Sequence, residues 1–325
     1  MTVPDGAGLP SVGWRPPRRA PVVACALLAC AAVTPSPAVS APGDGPGRDA
    51  LCGDGPLDIL LTNDDGATAA GIRALRTQLV AAGHRVTLAA PDHNASGTSL
   101  SFTWGDVSVT RDPDDPSVVA IGASPATSVV IAANVFYPAG TGPDLVISGI
   151  NHGPNSGALL MLSGTLGAAL AGTVLLDPPV PGFAVSAERL YPDEPMDSPA
   201  NRAQFDAVAA HFSRLVSTTR GWFCERGRVA RARTVLNVNY PAVEIASLRG
   251  TVMARQGSAT GLHVQVVQTA EGTYRARPDR RPVDGADDSD LQRLSGGYAT
   301  VTPVNAELGD DDFPGRKLRQ RLRRL

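Results

Sequence analysis

The stretch DILLTNDDG, residues 58–66, decides how the chain reads. Its first five residues form a short apolar run that suits a buried strand, and the run stops at two adjacent carboxylates and a glycine. Successive side chains on a strand point to opposite faces, so Asp64 and Asp65 cannot act together if the strand continues through them. If the strand ends near Thr62, both acids lie in a turn at its carboxyl end, where the backbone can aim them at one point. Taken alone, such a turn is most often a solvated loop or a helix cap.

Outward from this strand the pattern alternates. AAGIRALRTQLVAAG (69–83) places Ile72, Leu75, Leu79 and Val80 on one helical face and ends at Gly83, a C-cap residue. HRVTLAAP (84–91) reads as a second strand, and DVSVT (106–110) with SVVAIG (117–122) as a hairpin. SPATSVVIAANVF (124–136) is a helix with Pro125 in its first turn. PDLVISGI (143–150) is a buried strand, SGTLGAALAGTVLL (163–176) a small-residue helix with Ser163 near its N-cap, and PGFAVSAE (181–188) a strand. A turn-rich insertion (190–199) precedes a long helix, NRAQFDAVAAHFSRLVSTT (201–219), read as capped by Asn201. Later segments at 234–241, 250–257, 262–269, 273–278 and 297–304 are strand-rich, with a loop between Arg275 and Ser289. The expected fold is α/β: a Rossmann-like, doubly wound, mostly parallel sheet in a three-layer α/β/α arrangement, with an appended C-terminal β-rich region.

The 325 residues are 43% hydrophobic and carry a net charge of −2, enough for one large core and without a global positive field for a nucleic acid polymer. Only Lys317 is lysine, a bias that reads as genomic rather than functional. Arg15, Arg18 and Arg19 precede the apolar APVVACALLACAAV (20–33) and a small-residue stretch, the pattern of a secretory signal over 1–41, followed by a flexible linker over 42–56. LLAC around Cys30 also resembles a lipobox, which would anchor the chain to a membrane through that cysteine. Removing Cys25 and Cys30 leaves Cys52 and Cys224, either a disulfide in an oxidising compartment or two unrelated thiols. The domain proper spans 57–304. Residues 305–325 form a basic tail whose Leu318, Leu322 and Leu325 suit either a membrane-docking face or a solvated terminal helix.

In an open α/β sheet, ligands sit outside the carboxyl ends of the strands. Three loops of small polar residues fall there: TNDDG, DHNASG (92–97) and GINHGPNSG (149–157). They supply Asp64, Asp65, Ser96, Asn151 and Asn155. Two carboxylates with neutral oxygens make a hard site suited to Mg²⁺, Mn²⁺ or Ca²⁺. SGT at the following helix start offers N–H groups to an anion.

ILLTNDDG, APDHNASG, PDLVISGINHGPNSG, SGTLGAALAG, FAVS, LNVNYP and GYATVTPV, in this order from residue 59 to 304, together resemble the SurE (survival protein E) nucleotidases. The resemblance implies a phosphatase of nucleoside 5′- and 3′-monophosphates dependent on Mg²⁺ or Mn²⁺, on a Rossmann-like core. It also implies a homo-oligomer, dimer or tetramer, built by exchange of C-terminal segments. Carried over by motif, the metal ligands fall on Asp64, Asp65, Ser96 and Asn151, with the two aspartates catalytic. The phosphate pocket falls on Asn155, Ser163, Gly164 and Thr165. The chain departs from the family pattern at Leu100 (for asparagine), Thr127 (aspartate), Ser128 (cysteine), Ala158 and Leu159 (acids) and Leu162 (tyrosine). These changes motivate two other readings: an exported binder of nucleotides that turns over weakly, and a phosphatase of non-nucleotide esters.

His93 and His152 beside the loops read either as acid/base groups or, the favoured reading, as loop histidines without a catalytic part. Arg255 reads as structurally paired rather than phosphate-bound, and Asp290 as a helix cap rather than a metal ligand.

Overall fold

The computed structural model describes residues 49–258, 262–280 and 288–307. The expected signal segment 1–41 and residues 308–325 of the tail lie outside the described residues. In chain order the elements are β1 (Asp58–Thr62), α1 (Ala70–Ala81), β2 (Arg85–Pro91), β3 (Val109–Arg111), β4 (Val118–Ile121), α2 (Pro125–Val135) and β5 (Leu145–His152). There follow α3 (Gly164–Val174), β6 (Gly182–Ala187), α4 (Pro199–Thr219), β7 (Cys224–Glu225), β8 (Arg228–Val229) and β9 (Val235–Tyr240). The chain then forms β10 (Thr251–Met253), β11 (Leu262–Ala270), β12 (Thr273–Arg280), α5 (Asp290–Ser295) and β13 (Ala299–Val304).

Nine strands form one sheet in the order β10-β13-β9-β6-β5-β1-β2-β4-β3. β1 pairs in parallel with β2 on one side and β5 on the other. The chain therefore builds outward from β1 to β4, then returns to the opposite side of β1, which makes the β1–β5 boundary a topological switch point. Ligands bind at such a crevice, outside the carboxyl ends of the strands. Burial of Ile59, Leu60 and Leu61 on both faces explains why the β1 stretch reads as a continuous apolar run rather than an alternation.

The faces are covered separately. Leu75 and Leu79 of α1 and Phe205, Phe212 and Val216 of α4 pack with Ile59, Leu61 and Phe183 on one side. Ala126 and Val129 of α2 and Ala168 and Ala171 of α3 pack with Leu60, Ala89 and Val146 on the other. The small residues of α3 let it lie close to the sheet.

Several details differ from the sequence expectation. Val80 is 46% exposed, because a residue next to Leu79 is turned about 100° away from the core stripe. Ser198, not Asn201, caps α4: its side chain accepts from Asn201 N–H, with Pro199 at the first helical position. Asn201 lies inside the helix, buried, and its Nδ2 donates to the carbonyls of Tyr191, Glu194 and Pro195. The segment read as a loop from Arg275 is strand as far as Arg280. β13 enters the main sheet antiparallel to β9, while β11 and β12 form a separate hairpin.

Part of the stretch read as a flexible linker is held in place. Leu51 is buried, and the Arg220 guanidinium donates to the carbonyls of Leu51 (3.1 Å), Gly55 (2.7 Å) and Ala50. Cys52 and Cys224 are joined by a disulfide with Cα atoms 5.8 Å apart.

Candidate active site

The turn after β1 is shaped by Asn63. Its Oδ1 accepts from Gly66 N–H at 3.1 Å and its Nδ2 donates to the Gly66 carbonyl at 3.0 Å, closing the turn that carries the two acids. Ala67 N–H donates to the Pro91 carbonyl and Ala95 N–H to that of Asp64 at 2.7 Å, so the loop after β2 is tied to the acid turn. On the other side, Asp65 Oδ2 accepts from His152 N–H at 3.3 Å. The three loops thus meet at the carboxyl ends of β2, β1 and β5.

Asp64 is 3% exposed. Its Oδ1 accepts from the buried Thr165 hydroxyl at 2.6 Å, which joins the acid turn to the first turn of α3. Burial, reinforced by the neighbouring Asp65, pushes the Asp64 carboxyl up to about 6, while the Thr165 and backbone hydrogen bonds pull the other way. Gly164 is the residue that permits this approach. A Cβ there would lie 2.7 Å from Asp64 Oδ2, 2.9 Å from Asp64 Cβ and 3.0 Å from Thr98 Oγ1. Asp65 is also sequestered, its side chain 6% exposed, with Oδ1 3.4 Å from Asn94 Nδ2.

Ser96 is exposed at the tip of the loop after β2, and its N–H donates to Asn94 Oδ1. Its hydroxyl makes no hydrogen bond among the described residues. Asn151, at the end of β5, turns Nδ2 to the Gly153 carbonyl at 2.9 Å, which leaves Oδ1 as its remaining ligand atom. Ser163 caps α3 by accepting from Leu166 N–H at 3.0 Å.

Asn155 is the centre of a network that its own loop does not announce. Its Nδ2 donates to Ser186 Oγ at 2.9 Å and Thr165 Oγ1 at 3.3 Å. Its N–H donates to Asn239 Oδ1, and its carbonyl accepts from Asn237 and Asn239, each at 2.9 Å. Asn237 and Asn239 lie in the LNVNYP motif, which by itself assigns them no role. The signal was available: asparagines two apart in an apolar strand share one face and need partners.

The remaining sequence candidates separate. His93 is exposed and pairs with its neighbour Asp92. Arg255 is exposed and bidentate to Asp288. Ser289, not Asp290, caps α5; the buried Asp290 carboxylate instead accepts from Gly157, Gly257 and Leu291 N–H groups. It therefore fixes the start of the 3₁₀ helix (Gly157–Leu162) that leads to Ser163. Of the departures, Thr127 accepts from Thr103 N–H at 2.7 Å, Leu100 packs against the α2–α3 core, and Leu162 is exposed.

The donor set fits a hard divalent cation. Neither acid pairs with an arginine or lysine among the described residues, and a buried acid pair without a cationic partner is costly. No group of three or more His, Cys, Asp or Glu placed to hold a metal ion is found among those residues, so a cation at this edge would need the neutral oxygens of the loops beside the two carboxylates.

Comparison with known proteins bears on this geometry. Residues 59–261 match the family model described as "Survival protein SurE". A "5'-nucleotidase SurE" of Actinobacillus pleuropneumoniae serotype 5b (strain L20) is 32% identical over 256 residues, covering 78% of this chain and 95% of that protein. Another of that name, from Stenotrophomonas maltophilia (strain K279a), is 32% identical over 255 residues, covering 78% and 91%. The crystal structure of the SurE protein from Aquifex aeolicus superposes with a TM-score of 0.64 at 28% identity, covering 82% of this chain and 99% of that one.

Proposed function

The chain belongs to the SurE family, and from that premise we propose that it is a divalent-metal-dependent phosphomonoesterase that hydrolyses nucleoside 5′- and 3′-monophosphates to nucleoside and phosphate. One observation carries the reading: the 2.6 Å bond from Thr165 to Asp64 joins the acid turn to the start of α3, so a carboxylate site and an anion site share an edge.

Asp64, Asp65, Ser96 and Asn151 would hold Mg²⁺ or Mn²⁺, which when bound offsets phosphoryl charge and acidifies a water. Ser163 Oγ takes the N–H of Leu166 and the Thr165 N–H faces the Asp64 carboxylate, which leaves the N–H of Gly164 to a phosphate oxygen at the positive end of the helix. Asn155 Nδ2 is committed to Thr165 and Ser186, and so acts on the phosphate by fixing the Thr165 hydroxyl. Either aspartate serves as general base toward the attacking water.

The test is phosphate release from metal-stripped protein across 5′- and 3′-nucleoside monophosphates and an aryl phosphate, with each metal added back. The reading predicts metal-stimulated release from nucleotides, abolished in Asp64→Asn. The apolar Leu159, Leu162 and Leu100 favour a second reading, a phosphatase of non-nucleotide esters or a weakly active nucleotide binder. Activity on the aryl ester alone selects the former, and tight binding without release the latter.

Two further expectations belong to the same proposal. The Cys52–Cys224 disulfide favours an oxidising compartment, hence export with or without a lipid at Cys30. The β11–β12 hairpin exposes Val264 and Val266 (each 62%) and Tyr274, which favours a homo-oligomer.

A further inference from the structure

His152 immediately follows the Asn151 assigned to the cation, yet its own surroundings are not those of a solvent-facing loop residue. The side chain is 8% exposed. Nδ1 lies 2.9 Å from Asp65 Oδ2, the same oxygen that accepts the His152 backbone N–H at 3.3 Å. The ring meets Phe205 of α4 edge-on, with centroids 4.8 Å apart. Nε2 is buried and without a partner.

These contacts fix the tautomer. A carboxylate oxygen already accepting a backbone N–H can only accept from the ring as well, so the ring proton sits on Nδ1. The lone pair then faces the apolar side at Nε2, where a buried N–H without an acceptor would cost more. They also exclude proton exchange with a substrate, because the second nitrogen is shut away from solvent. What the ring can do is hold Asp65 still. Two donors fasten Oδ2, while Oδ1 has only the long 3.4 Å contact to Asn94 among the described residues.

We infer that His152 is a positioning residue: through Nδ1–H it fixes the Asp65 carboxylate and leaves Oδ1 as the oxygen offered to a cation. The role belongs to outer partners of metal-binding carboxylates, whose loss typically weakens metal affinity about 10–100-fold. This inference rests on the metal reading above and adds a residue to it. Phe205 completes the device by limiting ring rotation from the helix side, which a loop histidine at the surface would lack.

The experiment is calorimetric titration of Mn²⁺ into metal-stripped full chain, comparing wild type, His152→Leu and His152→Asn. Leucine keeps the bulk against Phe205 and removes the donor; the asparagine amide returns a donor near the Nδ1 position. The inference predicts that Mn²⁺ binding weakens about 10-fold or more in His152→Leu and recovers to within about 3-fold of wild type in His152→Asn. Equal affinity in all three overturns it, as does an asparagine variant no better than leucine when both melt cooperatively. Absence of Mn²⁺ binding in the wild type itself overturns the metal reading and this inference with it, a result distinct from the other two. Should the leucine variant fail to fold, the ¹⁵N signals of the wild-type imidazole in metal-free protein decide. A proton on Nδ1 supports the assignment, and an Nδ1 without a proton overturns it.

Discussion

Thr165→Val removes one hydroxyl and almost nothing else. The side chain is fully buried, and valine has nearly the same shape, so packing in the first turn of α3 is retained. Two groups lose a partner: Asp64 Oδ1, held at 2.6 Å, and Asn155 Nδ2, at 3.3 Å. Asn155 keeps its bond to Ser186, so the larger loss falls on Asp64. A hydrogen bond to a charged group contributes about 1.5–3 kcal/mol, and leaving a buried acceptor bare costs a similar amount. For a domain of this size, about 2 kcal/mol lowers the melting temperature by roughly 4–8 °C. The same bond orients Asp64 relative to α3, so kcat/KM for a nucleoside monophosphate falls about 10-fold or more, with each factor of ten worth about 1.4 kcal/mol of transition-state stabilisation. Thr165→Ser keeps the hydroxyl and retains most of both. Differential scanning calorimetry and phosphate release measure the two effects on the same samples. If Thr165→Val melts with Thr165→Ser and turns over at the wild-type rate, the link between the acid turn and α3 has no energetic content and the reasoning fails.

Gly164→Ala is expected to cost about 1–3 kcal/mol by overpacking, because the new Cβ meets Asp64 and Thr98 at 3.0 Å or less; chemical denaturation reads the stability and metal titration the displaced acid. Replacing Cys52 and Cys224 together by serine removes a bridge spanning 172 residues and is expected to lower stability by about 2–5 kcal/mol, seen as an earlier denaturation midpoint that matches wild type under reductant. His84 accepts Leu57 N–H on Nδ1 and is held below its ordinary value of 6.5, by burial first and then by the Arg220 charge. Its contribution is therefore present above about pH 6.5 and lost as pH falls through the lowered folded value; the wild-type urea midpoint should fall relative to that of His84→Asn between pH 7 and 5, a difference from which the opposite trend of the raised Asp64 carboxyl cancels.

Local chemistry made much of this molecule legible. The β1 run, the acid turn and the N-cap at Ser163 each announce themselves within a few residues, and the switch point follows from the order of strands and helices. What the sequence hid depends on distant partners. Asn201 resembles a cap because helix starts favour asparagine, but Pro199 already marks the first helical position and gives the cap to Ser198. Arg220 belongs to no motif; its meaning lies in three carbonyls about 170 residues earlier, which no local pattern encodes. Asp290 reads as a helix cap and instead fastens two glycine N–H groups from separate loops. His152 looks like any loop histidine until the β1 and β5 turns are brought together, and the strand 235–240 does not itself say that Asn237 and Asn239 hold the backbone of Asn155.

The central claim is that Asp64 and Asp65 form the anionic half of a cation site that hydrolyses nucleotides. Its most direct test is phosphate release from a nucleoside 5′-monophosphate by metal-stripped protein titrated with Mn²⁺, wild type against Asp64→Asn. The account predicts release that rises saturably with Mn²⁺ in the wild type and stays at background in the variant. Equal, metal-stimulated turnover in both proteins would contradict it.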